Sequence, residues 1–265
     1  MIPNICHFIA GMSCNKDIVT GQLQAEQFTF INYVSVVSAI LVNNPEKITF
    51  TYSTEPQGNW WDKLKQIERI EFYQVPLPTH FGKKEIIEPQ HRADKLRIEI
   101  LKEHGGVYLD TDTICVKPYK DILQYKYAMG IQDENRTLCN AVIFSEPNAE
   151  FLSLWQTPYE EFFNPTGWEE CCVVLPMEVA KANPSKITML KPECFFRPLY
   201  TELDEIFLNN CTEISEEMYI LHLWNSCSGK HINKIHNIDW ASKNNHTLLG
   251  KILLKLIDKG LTNYL

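Results

Sequence analysis

Apolar residues gather in short runs along this chain. "NICHFIA", "KITFTY", "IEFYQV", "GVYLD", "YAMGI" and "NAVIFS" have the length and the β-branched and aromatic content of strands. Segments with helical spacing lie between several of them, and this alternation predicts an α/β fold, Rossmann-like, with a mostly parallel sheet flanked by helices. No internal repeat or low-complexity linker breaks the pattern, so residues 1–265 read as a single domain. Beyond Phe151 the chain turns rich in Pro and aromatic residues, as in "TPYEEFFNPTGWEECCVVLP". There it reads as ordered loops and short helices over the sheet, or a small subdomain. The final "HTLLGKILLKLIDKG" has apolar residues at helical spacing with Lys251, Lys255 and Lys259 opposite. It is expected to pack on the core rather than lie on a membrane surface.

Sheets of this kind bind ligands at the carboxyl ends of their strands, so chemistry is expected where "GVYLD" ends. The preceding "PQHRADKLRIEILKEHGG" reads as a helix with Pro89 near its first turn and Gly105 as its left-handed stop. Asp94, Arg97 and Leu101 share one face of that helix, where Asp94 and Arg97 make either a surface ion pair or a functional one. Continued as a strand, the next segment sends Asp110 and Asp112 to one face with Cα atoms ~6.6 Å apart. Two carboxylates so close repel unless one is protonated or a cation lies between them, and a divalent ion with oxygen ligands also holds phosphates. Alone, an acidic D-x-D turn is a weak signal.

Composition narrows the partners. Lys and Arg total 25 against 33 Asp and Glu, a net charge of −8, so no basic face awaits a nucleic acid. The longest apolar run, "VSVVSAILV", is too short to span a bilayer. The N-terminus opens on a strand without a secretory signal, and nine cysteines without a CxxC pair suit reduced thiols. A cytoplasmic location, with peripheral membrane contact as the variant, is therefore expected. The sequons at Asn135, Asn210 and Asn245 carry little weight without an export signal.

Taken together, Asp94, Arg97, Gly105, Gly106, Tyr108, Asp110 and Asp112 within "ADKLRIEILKEHGGVYLDTD" resemble glycosyltransferase family 32, sugar transferases that carry a DxD motif. They also resemble the catalytic domain of the glucosylating clostridial toxins. "IPNICHFI", "NAVIFSEPN" and "LHLWNSCS" extend the likeness over most of residues 1–230, most closely from His91 to Pro118. The resemblance implies a GT-A nucleotide-sugar transferase fold, a nucleotide-sugar donor, and a glycan, lipid or protein acceptor. It implies that Asp94, Arg97 and Asp110 hold hydroxyls of the donor, that Asp112 ligates Mn²⁺ or Mg²⁺, and that Asn140 lies near the transferred sugar. Tyr108 would flank the donor. Trp224, Asn225 and Ser226 would belong to a C-terminal segment, about residues 220–265, closing over the diphosphate; Trp224 is equally readable as a core aromatic.

In one respect the chain departs from the toxins. Ala10 stands where they carry a Trp that stacks on uracil, which leaves base recognition to Phe8 or Tyr73, or implies a different nucleotide; Ile9 is also expected to border the donor. His222, delivered by the strand-like "MYILHL" just before a polar turn, is expected to complete the metal ligands, as related folds place a ligand here. The alternative is a core histidine bonded to backbone. Two rival functions remain. "LDTDT" also suggests a haloacid-dehalogenase-like Mg²⁺ phosphatase, although that motif usually opens its domain and here lies over a hundred residues in. A non-catalytic nucleotide-sugar binding protein would share the fold, but a scaffold has no need of two repelling acids.

Overall fold

A computed structural model of the chain describes residues 1–13, 24–133 and 136–265, so the Asn135 sequon and Cys14 lie outside the described residues. Seven strands form the central sheet: β1 (Ile5–Ala10), β2 (Lys47–Tyr52), β3 (Ile70–Gln74), β4 (Gly106–Leu109), β5 (Tyr127–Asp133), β6 (Thr137–Ser145) and β7 (Thr188–Leu190). The six runs that look like strands in the sequence supply the first six. The spatial order is β7-β5-β6-β4-β1-β2-β3. Pairs β1–β2, β2–β3, β1–β4 and β5–β7 are parallel, whereas β6 runs antiparallel to both β4 and β5. The reversal has a consequence for the site: the start of β6, near Asn140, lies at the end where the other strands finish.

Each face of the sheet carries its own apolar core. On one side, Phe8, Val107, Leu109 and Phe144 pack against the helix Phe30–Asn43 and the terminal helix Leu248–Asp258. On the other, Ile9, Tyr108, Met129 and Ile143 pack against the helices Pro89–His104 and Glu150–Phe162. Burying each large side chain of this kind contributes roughly 1.5–3 kcal/mol. The run "VSVVSAILV" forms the middle of Phe30–Asn43, which is buried nearly all round. The terminal helix buries Leu249, Ile252, Leu253 and Leu256, so its apolar face is taken by the core. Among the described residues no helix is long and apolar enough to cross a membrane.

Pro89–His104 ends as the two glycines predict. Gly105 and Gly106 both have positive φ, +63° and +103°, and a Cβ on Gly106 would sit 2.6 Å from the Ile5 carbonyl oxygen and 2.7 Å from His7 Nε2. Only a glycine lets β4 start flush against β1. His7 locks the corner: its Nε2–H donates to the Gly105 carbonyl at 2.7 Å, and its Nδ1 lies 2.7 Å from the Thr49 hydroxyl.

Candidate active site

The acidic pair does not continue the strand. β4 stops at Leu109, and Asp110 to Thr113 make a tight turn in which Thr113 N–H donates to the Asp110 carbonyl at 3.1 Å. The expected extended geometry is therefore corrected to a turn, which still turns both carboxylates to one site. Thr113 Oγ1 and Ser35 Oγ also donate to the Asp110 carbonyl, at 2.7 and 3.3 Å. Asn32 Nδ2 donates to the Thr111 carbonyl at 3.0 Å. Asn32 belongs to the capping box at the start of Phe30–Asn43, where Thr29 is the N-cap. A helix start thus buttresses the acidic turn from below.

A short ribbon brings His222 to the same place. Ile220–His222 pairs antiparallel with Thr113–Cys115, with His222 opposite Thr113. Ligand atoms of Asp110, Asp112 and His222 all lie within 4.8 Å of one another, and His222 Nε2 is 3.4 Å from Asp112 Oδ2. After the ribbon Trp224 adopts φ +57°, a left-handed conformation uncommon outside glycine and asparagine. That bend starts the helix Asn225–Ile232 and lets Asn225 N–H donate to Asp112 Oδ2 at 2.7 Å. Trp224 is 6% exposed, and its ring sits 4.1 Å from that of His222 and borders the cavity.

Asp94 and Arg97 are not a surface pair, since they are 2% and 4% exposed. Asp94 Oδ1 accepts from Asn140 Nδ2 at 2.7 Å, and Oδ2 accepts from the Tyr159 hydroxyl at 2.8 Å. Arg97 spans the site. Its Nη1 donates to the Asn140 carbonyl at 2.7 Å, its Nη2 lies 3.4 Å from both Asp94 and Asp110, and its guanidinium lies 4.4 Å from the Tyr108 ring centroid. Tyr108 donates to Asp110 Oδ1 at 2.6 Å. A break in the β5–β6 register explains Asn140: Met129 pairs with Ile143 but Gly130 with Cys139, so residues 140–142 are extra and Asn140 bulges toward the helix pair.

Charges follow from these contacts. Burial opposes ionisation of Asp94, but the Arg97 charge and the hydrogen bonds from His91 and Tyr159 outweigh it and hold its carboxyl below the ordinary value. Burial and the neighbouring Asp112 push Asp110 up despite Arg97. Asp112 is drawn down in spite of burial by His222 and the Asn225 amide. The turn thus keeps two acids of unequal strength.

These residues line one cavity of about 370 Å³ at the carboxyl ends of the strands. Asp94, Arg97, Tyr108, Asp110, Asp112 and Asn140 border it, as do His222, Trp224, Asn225 and Ser226. Of the residues expected to meet the donor or its base, Ile9 borders the cavity, but Phe8 does not. Neighbours on a strand point to opposite faces, and Phe8 is buried against Phe50 in the far core, so its assignment to the nucleotide is corrected. Tyr73 is also away from the cavity, with its hydroxyl on Glu71 at the sheet's edge. Sequence reading missed Asn32, Tyr159, Gln90, Gln132, Trp168 and Tyr200. The last four border the same cavity.

The donor set fits a divalent cation. Two carboxylates and an imidazole converge, and burial leaves His222 Nδ1 without a hydrogen-bond partner. The imidazole favours Mn²⁺ over Mg²⁺.

A family model described as a glycosyltransferase sugar-binding region containing a DXD motif matches residues 13–129. Over those residues the chain is similar to the DXD-motif glycosyltransferases. It is 28% identical over 247 residues to glucan organizing enzyme 1 of Cryptococcus neoformans var. grubii, covering 89% of this chain and 66% of that protein. It is 25% identical over 198 residues to lactosylceramide 4-alpha-galactosyltransferase of Mus musculus, covering 68% of this chain and 49% of that one. The chain thus spans about two thirds of one of these relatives and about half of the other. In three dimensions it is similar to apo-form glycosyltransferase GlyE of Streptococcus pneumoniae, with a TM-score of 0.53 and 13% identity over 98% of this chain and 64% of that one. That likeness concerns the fold, which is the GT-A nucleotide-sugar transferase fold. These likenesses favour a sugar transferase over the phosphatase and binding-protein readings of the acidic pair.

Proposed function

We propose that this chain moves a hexose from a nucleotide-activated donor, a UDP-hexose or GDP-mannose, to a hydroxyl of a glycan, lipid or protein acceptor, with retention of anomeric configuration and dependence on Mn²⁺ or Mg²⁺. The convergence of Asp110, Asp112 and His222 beneath a cavity that Arg97 also enters carries this reading. Asp112 and His222 would hold the cation, with Asp110 beside it. Bound there, the cation would supply positive charge to the diphosphate as it departs.

The chain's own residues do the positioning. Arg97, fixed by Asn140, Asp94 and Asp110, offers a planar set of N–H donors on the cavity wall. Asp94 holds the Asn140 amide, which fixes that side chain beside the cavity. In the transfer the acceptor oxygen bonds to the anomeric carbon. The bond from that carbon to the phosphate oxygen breaks with its electron pair going to the nucleoside diphosphate, which also takes up the hydroxyl proton. The alpha linkage in the mouse relative's name fits retention where the donor is itself alpha-linked. Residues 1–265 act as one catalytic unit in this reading, with residues from about 220 onward closing over the diphosphate and the chain working in the cytoplasm or at a membrane surface.

A screen of UDP- and GDP-hexoses with Mn²⁺ tests the proposal. Release of nucleoside diphosphate from at least one donor is expected, with an axial or equatorial product matching the donor by NMR. Phosphate release from p-nitrophenyl phosphate, or nucleotide-sugar binding without turnover, would point instead to one of the two rivals.

A further inference from the structure

The cavity's lining extends from the acidic cluster to β5, where its chemistry differs. Gln132 lies there. In β5 Ile131 pairs with Leu138 and Asp133 with Thr137, which leaves Gln132 as the extra residue of a bulge. Bulges re-aim a side chain beside a binding site. Gln132 is 6% exposed and borders the cavity. Gln90, in the first turn of Pro89–His104, borders the same space with its Nε2 buried and unpaired. A buried amide nitrogen without a partner, as at Gln90, is costly unless a ligand or water satisfies it.

Two aromatic rings complete the chemistry. Trp168 is 57% exposed and Tyr200 38%, although both line a cavity in a molecule that buries most of its large aromatics. Neither is loose. The Trp168 carbonyl accepts from Cys172 Sγ at 3.1 Å, and its neighbour Gly167 accepts from His91 Nε2 at 2.9 Å. Tyr200 packs edge-on against Trp224 at 5.6 Å, so it stands one ring beyond the residue that touches His222. The order of strands sets this end apart: Ile9 of β1 marks one side of the cavity, and Gln132 of β5, beyond β4 and β6, marks the other.

We infer that Gln132, Gln90, Trp168 and Tyr200 form an acceptor subsite for a pyranoside ring. The amides hydrogen-bond its hydroxyls, and the aromatic faces cover its C–H surface. A pyranoside has both kinds of surface on one rigid ring, whereas a serine or threonine hydroxyl on a peptide presents neither an apolar ring face nor several hydroxyls. This assignment rests on the transferase reading above and narrows its acceptor to a sugar.

The test uses the full chain with Mn²⁺, a turning-over nucleotide hexose, and methyl α- and β-pyranosides of glucose, galactose and mannose together with lactose as probes. A serine/threonine peptide is the comparison. At least one glycoside should accelerate nucleoside diphosphate release, and the peptide should not. Gln132→Ala and Trp168→Ala should each raise the KM for that glycoside about tenfold, the loss expected of one hydrogen bond or one stacked face. The Kd for the nucleoside diphosphate, measured in parallel, reports whether each variant is folded. Gln132→Glu, which keeps the acceptor oxygens, should recover part of the affinity. Acceleration by the peptide alone, or wild-type glycoside KM in both alanine variants, would overturn the subsite. Should no donor turn over, the transferase reading fails separately. Saturation-transfer NMR of the same glycosides then still decides the subsite: loss of signal in both alanine variants supports it, and no binding to the wild-type chain rejects it.

Discussion

Asp94→Ala removes the acceptor on which the donor side of the cavity is built. Four donors face that carboxylate: Asn140 Nδ2 at 2.7 Å, the Tyr159 hydroxyl at 2.8 Å, and His91 Nδ1 and Arg97 Nη2 at 3.4 Å. Arg97 retains Asp110, so its charge is not stranded, but the Asn140 and Tyr159 donors are left buried without partners. Removing one side of a buried, hydrogen-bonded ion pair costs roughly 3–5 kcal/mol, and with Asp94 only 2% exposed there is no solvent screening to discount. Asp94→Asn should cost less, about 2 kcal/mol, because the Tyr159 hydroxyl can rotate to accept from the new amide. Urea unfolding followed by tryptophan emission measures both. The pH dependence has a definite sign. The Asp94 carboxyl is held below its ordinary value, so its contribution is complete above that value and is lost as pH falls through the lower, folded one. A cost for Asp94→Ala below about 1 kcal/mol, the worth of an exposed pair, would refute the reasoning.

Further outcomes follow from other parts of the structure. Burial pulls His7 down from 6.5 to about 4 and outweighs its bond to Gly105, so stability is complete above 6.5 and falls by up to about 3 kcal/mol as pH drops toward 4. Urea midpoints against pH should flatten over that window in His7→Gln, and an unchanged slope would exclude His7 as the source. Gly106→Ala should lower Tm sharply, since its Cβ meets the Ile5 carbonyl at 2.6 Å with φ at +103°. Gly229→Ala, in a helix with nothing within 4 Å of its Cβ, should raise stability by up to about 1 kcal/mol. Arg97→Lys should weaken donor binding although charge is kept, because one ammonium cannot replace a guanidinium that meets Asn140, Asp94 and Asp110 at once; a wild-type Kd by calorimetry would contradict this.

Much of the fold was legible because its strands are apolar runs bounded by turn residues, and because Pro89 and the two glycines punctuate one helix. Side-chain direction was not. β1 is buried on both faces, so "NICHFIA" has no alternation, and nothing in it tells Phe8, in the far core, from Ile9, at the cavity. The acidic turn was found by residue type and resemblance, yet its shape comes from Asn32 and Ser35 some eighty residues earlier. Tyr159 reaches Asp94 across 65 residues from a helix with no motif of its own. Gln132 and Asn140 owe their placement to breaks in register, which depend on how β5 and β6 pair and leave no mark in either strand alone.

The most direct test of the central claim is nucleoside diphosphate release from UDP-hexoses and GDP-mannose, measured for the wild-type chain and Asp112→Asn with the metal removed and then restored. The geometry predicts that chelation stops wild-type turnover and that Mn²⁺ restores it more fully than Mg²⁺, since His222 lies with Asp110 and Asp112 in the ligand cluster. Asp112→Asn, in a turn outside both apolar cores, should stay folded by circular dichroism and lose metal-dependent release. Full turnover after exhaustive chelation, or wild-type rates in folded Asp112→Asn, would contradict the account.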